Sequence, residues 1–400
     1  MLALMQARPT SATATAPIDG PPGSFAKWPQ AQSCRSQDLS REIYGIFGIP
    51  IDRIDLVAAA EVVERAALAG RPFILSTANL NFLILSQRDR DFRESLLVSD
   101  LCTADGMPLV WLARLLNVPV KKRIAGSDLF DVLKAGRSVS RPIKVCLFGG
   151  ADGLAKFVAD KINSESTTMR CVGAFSPGFG SVDEMSHDAL IDQVNNTGAD
   201  FFVASLSARK GQEWLLRNHD RLTIPVRAHL GATLNYQAGT VRRAPEMLQR
   251  TGLEWIWRIK EERYLWRRYW RDGWALLRLF AFRALPLLLD RVLHKRSSTD
   301  FSVVHSESDG VVTLKIHGSA TKDSTTQLIP MMCEAVDSCR DVVVDLSCAS
   351  SIDARIFGLL VVLRKSLRSC GCALKIIADN SRIRRLFKLN GFEFLLLDAT

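Results

Sequence analysis

Short apolar runs of strand length alternate with longer stretches of helical periodicity from about Asp52 to Gly231. The strand-like runs read PFILST, DLCTAD, IKVCLFG, MRCVGAF, ADFFVASL and IPVRAHLG. The amphipathic stretches read IDLVAAAEVVERAALAG, MPLVWLARLL, SDLFDVLKAG, GLAKFVADKI, SHDALIDQVNN and QEWLLRNH. This alternation predicts a Rossmann-like α/β fold, a mainly parallel sheet with helices on both faces. Ligands of such sheets bind beyond the carboxyl ends of the strands, so those loops are the candidate sites.

The pattern changes after the polar linker HKRSSTD. VVTLKIHGSA, DVVVDLSCA and ALKIIAD have strand character, whereas FGLLVVLRKSLRSCG and RIRRLFKLNG have helical character. This predicts a second, smaller α/β unit at 301–400. At the other end, residues 1–42 are rich in Pro, Ser, Thr, Ala and Gly, which predicts a disordered tail. The larger α/β unit is therefore expected at 43–254, with a helical segment at 255–296 between the two units.

The segment 255–296 carries much of the net charge of +10, with eleven Lys and Arg against four Asp and Glu. It also holds five of the eight Trp. Four arginines recur at helical spacing: Arg263, Arg267, Arg271 and Arg278. This spacing indicates an amphipathic basic helix that lies on an anionic membrane. Leu265, Trp266, Trp270 and Trp274 are expected largely elsewhere on the helix. The alternative is a core-facing helix that closes the larger unit. Nucleic acid is not expected, because no base-reading module accompanies the charge.

The stretch CLFGGADGLA has a strand–glycine–helix form that suits backbone contacts to a phosphate through Gly149 and Gly150. A tight turn explains the same pattern. A nicotinamide-binding site should carry an acidic residue near the end of the next strand, but CVGAFSPGFG has none. This argues against a nicotinamide oxidoreductase.

Asp105, in TADGMPLVW, follows one predicted strand and precedes a helix. Asp before Gly and Pro is typical of a turn and helix cap, yet the carboxyl end of a parallel strand is also where a catalytic base would lie. Arg209 and Gln212 in SARKGQEW, and Arg123 in KKRIAG, either face a diphosphate or form solvated charge runs. The triplet of Asp89, Arg90 and Asp91 is of the kind that metal-dependent sugar transferases use, but its surroundings indicate an exposed helix face. No metal site is predicted.

Seven motifs occur in order: TANLNFL, TADGMPLVW, KRIAGSDLF, VCLFGGADG, GQEWL, LGATLNYQAGTVRRAPEML and TGLEWIWRI. Together they resemble the WecG/TagA/CpsF family of bacterial glycosyltransferases. The resemblance implies inverting transfer of a sugar from a UDP donor to a polyprenyl-diphosphate-linked saccharide, without a cofactor or divalent metal. It also implies a role in exopolysaccharide or cell-envelope polysaccharide biosynthesis.

The resemblance assigns Asp105 as the base. It assigns substrate-binding roles to Thr77, Asn79, Arg123 and Gln212. Arginines of the C-terminal helical segment, Arg258 and Arg263 among them, are candidates to stabilise the leaving UDP. The chain departs from the family pattern at Asn235, where Asp is common, and RKGQE lacks the usual Pro. These departures bear on the identity of the donor sugar, for which N-acetylmannosamine and glucuronate are both compatible.

The last hundred residues resemble a STAS domain, in VVVDLSCASSIDARIFGLLVVLRKSLRSCGCALKII followed by IRRLFKLNGF. In that family a turn after a conserved Asp holds a phosphorylated residue. Here Asp353 is followed by Ala354, Arg355 and Ile356, so the resemblance implies a protein-binding module that has lost its phosphoswitch. Deleting it is expected to leave sugar transfer largely intact.

Nine Cys without a CxxC pair predict reduced thiols in the cytosol, and the N-terminus lacks the features of a signal peptide. The expectation is therefore a cytoplasmic enzyme, peripheral on the inner face of the bacterial plasma membrane. The alternative is a non-catalytic regulator that senses a sugar nucleotide and acts through its STAS module.

Overall fold

The computed structural model describes residues 36–120, 122–136, 141–294 and 300–397, without the side chains at positions 250 and 397. Most of the predicted tail lies outside these residues. Its last part, however, is folded: Ser36–Ser40 form a 3₁₀ turn with Leu39 buried. Arg41 then pairs with buried Asp52, with 2.8 Å between Nη2 and Oδ2. The folded chain therefore begins before the expected boundary.

The strands have these bounds: β1 Ile43–Ile46, β2 Ile49–Asp52, β3 Phe73–Ala78, β4 Leu101–Ala104, β5 Ile143–Gly149, β6 Met169–Phe175, β7 Phe201–Ser205, β8 Val226–His229, β9 Ser302–Ser308, β10 Val311–Ala320, β11 Asp341–Asp345, β12 Ala349–Ile352 and β13 Leu374–Ile377. The helices are α1 Leu56–Leu68, α2 Leu80–Ser86, α3 Arg90–Leu97, α4 Met107–Leu115, α5 Gly126–Ala135, α6 Leu154–Glu165, α7 Asp188–Asn196, α8 Ala208–Asn218, α9 Thr233–Ala238, α10 Glu246–Thr251, α11 Glu254–Glu261, α12 Trp266–Leu279, α13 Leu285–His294, α14 Thr325–Asp337, α15 Ala354–Ser369, α16 Ser381–Asn390 and α17 Phe394–Leu397.

Six strands form one parallel sheet in the order β4-β3-β8-β7-β5-β6. Alternate residues of β5 enter different cores: Val145 and Leu147 pack with α1, α5 and α6, while Cys146 and Phe148 pack with α7 and α8. Period-two alternation thus buries both faces of the sheet. The predicted mainly parallel α/β architecture is confirmed, and the Rossmann-like sheet aligns the carboxyl ends of all six strands along one edge.

The hairpin β1–β2 was not predicted from the sequence. Its strands are only four residues long and pair antiparallel, from Ile43 opposite Asp52 to Ile46 opposite Ile49. The turn between them uses Phe47 at φ 46° and Gly48 at φ 88°. Positive φ at both turn positions gives the twist that a two-residue hairpin requires. The run IYGIFGIPI contains two Gly and a Pro but no Asn-Gly or Asp-Gly pair, so the sequence alone does not indicate a two-residue hairpin.

The C-terminal unit, residues 300–397, contains a second sheet in the order β12-β10-β11-β13, with β9 added antiparallel to β10. The other pairings are parallel. Helix α15 begins after Asp353, whose carboxylate accepts the N–H groups of Arg355 and Ile356 at 2.9 and 3.1 Å. Thirteen of the sixteen residues of α15 are buried, so this helix is the centre of the unit rather than a surface feature.

Helix α15 packs directly against the hairpin β1–β2. A Cβ on Gly358 would lie 2.4 Å from the carbonyl oxygen of Ile43, so Gly allows the two backbones to meet. Arg355 donates to that same carbonyl at 2.9 Å. One continuous apolar core includes residues of β1, β2, α2, α4, α14, α15 and α16. The C-terminal unit is therefore fused to the larger unit by a shared core, which opposes the expectation of a separable module.

Buried ion pairs reinforce this junction. Arg364 of α15 makes two contacts with Glu94 of α3, at 2.9 and 3.0 Å, and both side chains are less than a tenth exposed. Lys365 contacts Asp100 at 2.6 Å and lies 3.7 Å from Asp38. Each pair joins a cation of the C-terminal unit to a carboxylate of the larger unit.

The connecting helices, Glu254–His294, run between the two units, with a π-helical turn at Phe280–Ala284. Their inner side buries Leu265 and Leu279, and Asp272 accepts from Asn81 at 3.4 Å. The predicted arginine face is exposed: Arg263, Arg267, Arg271 and Arg278. Trp266, Trp270 and Trp274 are also exposed, at 52–64%, whereas Leu265 is buried.

Two further observations concern membrane-spanning helices and the state of the cysteines. Among the described residues, no helix combines the length and the apolarity needed to cross a bilayer. Seven of the described cysteines are free thiols, whereas Cys370 is disulfide-bonded, which departs from the expectation of reduced thiols throughout.

Candidate functional site

Asp105 lies immediately after β4, at the carboxyl edge of the six-stranded sheet. Its N–H donates to the carbonyl of Ala78 at 2.7 Å, which continues the β3–β4 pairing by one residue. Helix α4 has Gly106 as its N-cap, at φ 120°, without a side-chain cap. The helix-cap interpretation of Asp105 was therefore wrong for α4. The carboxylate instead accepts the N–H of Gly126, the first residue of α5.

Arg123 lies at the centre of the polar side chains around Asp105. Its Nη1 is 4.0 Å from Oδ1 of Asp105 and 3.3 Å from Oε2 of Glu254. Its Nη2 donates to Oε1 of Gln249 at 2.7 Å and lies 3.5 Å from Oδ2 of Asp128. Three carboxylates thus share one guanidinium group. We call Asp105, Arg123, Asp128 and Glu254 the carboxylate cluster.

The cluster makes Asp105 an unusually basic carboxyl. Burial is the main cause that raises the pKa of Asp105 to about 7, and the negative charges of Glu254 and Asp128 add to the rise. The positive charge of Arg123 and the hydrogen bond from the N–H of Gly126 oppose it. The side chain remains 27% exposed, so a ligand can reach it. A carboxyl with a pKa near neutrality can accept a proton at physiological pH, as a general base must.

A second group of side chains adjoins the cluster. Tyr236 of α9 accepts a hydrogen bond from Nη1 of Arg258 at 2.5 Å, and Arg258 also contacts Glu262 at 2.6 Å. The guanidinium of Arg243 lies 5.6 Å from the Tyr236 ring centre and pairs with Asp128. Burial raises the pKa of Tyr236 to about 12, with Arg258 opposing and the charges of Glu254 and Asp105 adding. The phenol therefore stays protonated at neutral pH.

Thr77 and Asn79, to which the family resemblance assigns substrate-binding roles, lie close to Asp105 in the structure. Thr77 of β3 is opposite Thr103 of β4, and a Cβ on Gly126 would be 3.2 Å from its hydroxyl oxygen. Asn79 caps α2 by accepting the N–H of Phe82 at 3.2 Å. The structure thus brings Thr77, Asn79, Asp105 and Arg123 to one end of the sheet edge, with Arg258 reaching the same region through Tyr236.

Gly149 ends β5 and Gly150 follows it at the same edge, but β3, β8 and β7 lie between β5 and β4. At about 4.8 Å per strand, their loop is roughly 19 Å along the sheet from Asp105. Their φ values are 111° and 81°, and a Cβ on Gly149 would be 2.4 Å from the carbonyl oxygen of Ser205. The glycines are thus required by a tight turn, and the loop lies apart from the carboxylate cluster.

Gln212 and Arg209 are not brought to the cluster either. Gln212 is 1% exposed, and its Nε2 lies 3.4 Å from the Ser76 hydroxyl, so a substrate cannot reach it in this conformation. Helical periodicity explains this, because Gln212 lies on the same buried face of α8 as Leu215, three residues later. Arg209 is exposed and pairs with Asp89 at 3.0 Å.

The DxD triplet has local partners. Asp89 caps α3, accepting the N–H of Phe92 at 3.0 Å in addition to its ion pair with Arg209. Asp91 is exposed in the first turn of α3. Over the described parts of the chain, no group of three or more His, Cys, Asp and Glu side chains is arranged to hold a metal ion.

Arg263 lies further along the connecting helices, in an open groove next to solvent. The groove is lined by Ile259 and by basic and aromatic side chains: Lys260, Arg263, Tyr264, Trp266 and Arg267. The groove is thus suited to an anionic, partly apolar ligand.

Sequence reasoning did not single out four residues around Asp105: Asp128, Tyr236, Arg243 and Glu254. All four lie inside quoted motifs, GSD, GATLNY, RRAP and GLEW. An acidic residue in the first turn of a helix usually serves the helix itself, which hid Asp128 and Glu254. Only the approach of α5 and α11 to the end of β4 gives Asp128 and Glu254 a common partner, Arg123.

Comparison with known proteins identifies the family of this chain. The model of the glycosyl transferase WecG/TagA/CpsF family matches residues 44–288, more than half of the chain. The chain is 26% identical over 224 residues, 56% of its length and 85% of the relative, to the N-acetylglucosaminyldiphosphoundecaprenol N-acetyl-beta-D-mannosaminyltransferase of Bacillus subtilis. It is 21% identical over 228 residues, 56% of its length and 86% of the relative, to the protein of the same name from Staphylococcus aureus strain MW2. The chain therefore belongs to the WecG/TagA/CpsF family and is a glycosyltransferase.

Proposed function

We propose that this glycosyltransferase moves a sugar from a UDP-sugar to a polyprenyl-diphosphate-linked saccharide, with inversion and without a divalent metal. The names of its relatives support N-acetylmannosamine as the sugar and a polyprenyl-diphosphate-linked N-acetylglucosamine as the acceptor. The product would feed an exopolysaccharide or another cell-envelope polysaccharide. The observation that carries the proposal is Asp105: a reachable carboxyl at the end of a parallel strand, with a pKa of about 7.

In the proposed reaction, Asp105 takes the proton of the acceptor hydroxyl as its oxygen attacks the anomeric carbon. The bond between that carbon and the diphosphate oxygen breaks, and UDP leaves with the electron pair. A single displacement from the opposite face inverts the anomeric centre. Each proton and electron pair then has a destination, and no cofactor is needed.

Negative charge grows on the departing diphosphate, and fixed cations can stabilise it. Arg123 and Arg258 are the proposed partners. Both side chains are only about an eighth exposed, and both are already held by carboxylates, Arg123 by Glu254 and Arg258 by Glu262. Such anchoring keeps a long side chain in place before the substrate arrives, which reduces the cost of ordering it.

Thr77 and Asn79 are proposed to contact the acceptor or the donor sugar beside Asp105. The loop of Gly149 and Gly150, roughly 19 Å away by strand spacing, is the less favoured candidate for the nucleotide. Arg209 and Gln212 keep only the support of the family resemblance, since Gln212 would have to leave its buried position to reach a ligand.

We propose that the connecting helices lie on the anionic inner face of the plasma membrane. Their outer side exposes Trp266, Trp270 and Trp274 between the exposed arginines, and apolar exposure continues to Phe282 and Leu293. Aromatic and basic side chains on one face of a helix are typical of a peripheral membrane anchor. The basic groove at Arg263 adjoins this face, so a lipid-linked acceptor would approach from the membrane.

The C-terminal unit resembles a STAS domain. We propose that the face through which such a domain would bind a partner protein packs against the larger unit of the same chain instead. The start of α15, where the family would carry a phosphorylated residue, packs on Ile43 through Arg355. A separate protein partner would have to bind elsewhere on this unit. The rival function, a sugar-nucleotide sensor without catalysis, would bind UDP-sugars but transfer nothing.

The test is transfer from a panel of radiolabelled UDP-sugars to a polyprenyl-diphosphate-linked N-acetylglucosamine in detergent. Asp105→Asn should lower turnover by about two to four orders of magnitude, the usual contribution of a general base. Its circular dichroism should match that of the wild type. Near-normal transfer by the folded variant would remove Asp105 from the mechanism, and binding of a UDP-sugar without transfer by the wild type would favour the sensor.

The membrane proposal is tested by flotation with anionic vesicles. The test variant replaces four exposed arginines with Gln: Arg263, Arg267, Arg271 and Arg278. This variant should be released from the vesicles, because each arginine contributes roughly 1 kcal/mol to binding near anionic lipid. High salt should release the wild type in the same way. Replacing Arg170, Arg217, Lys156 and Arg384, which lie elsewhere on the surface, is the matched control. Equal vesicle binding by both variants would show that the arginine face is not the anchor.

A further inference from the structure

Glu254 is the member of the carboxylate cluster that comes from the connecting helices. It is the first residue of α11, whereas Asp105 follows β4 and Asp128 lies in α5. Its Oε2 is 3.3 Å from Nη1 of Arg123, the same nitrogen that lies 4.0 Å from Asp105. Glu254 and Asp105 therefore approach the same guanidinium nitrogen.

We propose that Glu254 is a positioning residue that holds Arg123 off Asp105, so that the Asp105 carboxylate is left free to take a proton. The proposal rests on the proposed role of Asp105 as the base. It assigns to the GLEW motif a function in the reaction, in addition to its place at the start of a helix.

The geometry around Arg123 supports this division of contacts. Nη2 is fixed on the other side by Gln249 at 2.7 Å and by Asp128 at 3.5 Å. With Nη2 held, the position of Nη1 depends on Glu254 and Asp105. At 3.3 Å the guanidinium is in near contact with Glu254, and at 4.0 Å it only reaches the limit of an ion pair with Asp105.

The consequence for Asp105 has a defined sign. A cation in close contact stabilises the carboxylate form and makes it a weaker base. Glu254 keeps that cation at a distance and adds a negative charge of its own, and both effects favour the protonated form of Asp105. Loss of the Glu254 charge therefore weakens Asp105 as a base by two routes with the same sign.

The other charged and titratable groups around Asp105 come from three directions. Asp128 of α5 also disfavours the Asp105 charge, but its own carboxylate is paired with Arg243. Tyr236 of α9 stays protonated and is held by Arg258. Glu254 is thus the carboxylate whose contact with Arg123 depends on the placement of the connecting helices. If those helices shift on a membrane, Arg123 shifts with them.

The experiment uses the full-length protein and the variant Glu254→Gln, which keeps the shape and a hydrogen-bonding oxygen but loses the charge. The turnover of the wild type should rise with pH as Asp105 deprotonates. In Glu254→Gln this rise should move down by about one pH unit, within the range an adjacent opposite charge produces. Turnover on the high-pH plateau should fall by roughly three- to tenfold, because a weaker base removes the proton less readily.

Glu261→Gln is the matched control, because Glu261 belongs to the same helix, is exposed to solvent and accepts a hydrogen bond from the N–H of Arg242 at 3.5 Å, away from Arg123. Its pH profile should coincide with that of the wild type. A variant that merely loosened α11 would lower turnover at every pH without moving the profile.

A second measurement does not depend on transfer. The side-chain carboxyl carbons of Asp can be labelled with ¹³C and titrated by NMR, and the Asp105 resonance is identified by its absence in Asp105→Asn. Its titration midpoint should fall by about one unit in Glu254→Gln. An unchanged midpoint overturns the role of Glu254 even if transfer is lost. If Asp105→Asn transfers sugar normally while Glu254→Gln lowers the midpoint, the proposed base fails and the electrostatic coupling stands.

Discussion

The buried ion pair between Arg364 and Glu94 should be a large contributor to the stability of the junction between the two units. Glu94→Ala removes a carboxylate that is 7% exposed and contacts Arg364 at 2.9 and 3.0 Å and Arg368 at 3.4 Å. Breaking a buried pair from one side costs about 3–5 kcal/mol, because the remaining charge stays in a poorly solvated place. That is a substantial part of the 5–15 kcal/mol typical of a folded domain.

The assay is urea unfolding followed by tryptophan fluorescence, with the slope of the transition measured for each variant. Asp160→Ala is the control, because Asp160 forms an exposed pair with Lys156 at 3.8 Å, and such pairs contribute about 0–1 kcal/mol. The double variant Glu94→Leu with Arg364→Met should recover most of the loss, since well-packed apolar side chains replace buried pairs at little cost.

Two results would refute this reasoning. A loss below about 1 kcal/mol for Glu94→Ala would mean that water reaches the pair and that the junction is looser than its contacts indicate. Two separate unfolding transitions, with Glu94→Ala moving only one, would mean that the units fold independently despite their shared core.

Four further outcomes are expected. The turnover of the wild type should rise with pH through about 7, since the pKa of Asp105 is raised to about 7 and the base must be deprotonated; a flat profile from pH 5 to 8 would contradict this. The same raised pKa means that ionisation of Asp105 opposes folding. The free energy of unfolding of the wild type, relative to Asp105→Asn, should therefore fall by a few kcal/mol between pH 4 and pH 8, at about 1.4 kcal/mol per pH unit. Parallel curves of stability against pH for the two proteins would refute this prediction. Transfer should survive excess EDTA, and rescue of a lost activity by manganese or magnesium would implicate the DxD triplet. Deleting residues 301–400 should sharply lower both the melting temperature and the transfer activity, because the deletion exposes the shared core. A truncated enzyme that stays active with an unchanged melting temperature would show instead that the C-terminal unit is a separable module.

The alternation of apolar runs determined the larger unit almost completely. Strands β5 and β6 have the predicted bounds, because each is a continuous apolar run that is bounded by turn or polar residues. The ordered motifs gave the family, and the position of Asp105 after a parallel strand marked the correct edge of the sheet. These features are local in the chain, so the sequence alone contains them.

The sequence did not determine which polar residues meet. Gln212 and Arg209 lie in one motif at the start of helix α8, yet Gln212 is buried against Ser76 and Arg209 is exposed beside Asp89. Glu254 and Asp105 are 149 positions apart and become competitors for Arg123 only when α11 packs at the end of β4. The charge of a carboxyl depends on burial and neighbours, neither of which a local pattern records.

The relation of the two units was likewise decided by tertiary structure. The sequence predicted two units separated by a polar linker. In the structure, Gly358 allows the backbone of α15 to contact the backbone of the hairpin β1–β2, and Arg364 and Lys365 contact carboxylates of the larger unit. A linker shows only where the chain is polar. Whether two α/β units share one core depends on the complementarity of faces far apart in sequence, and that is settled when the helices pack.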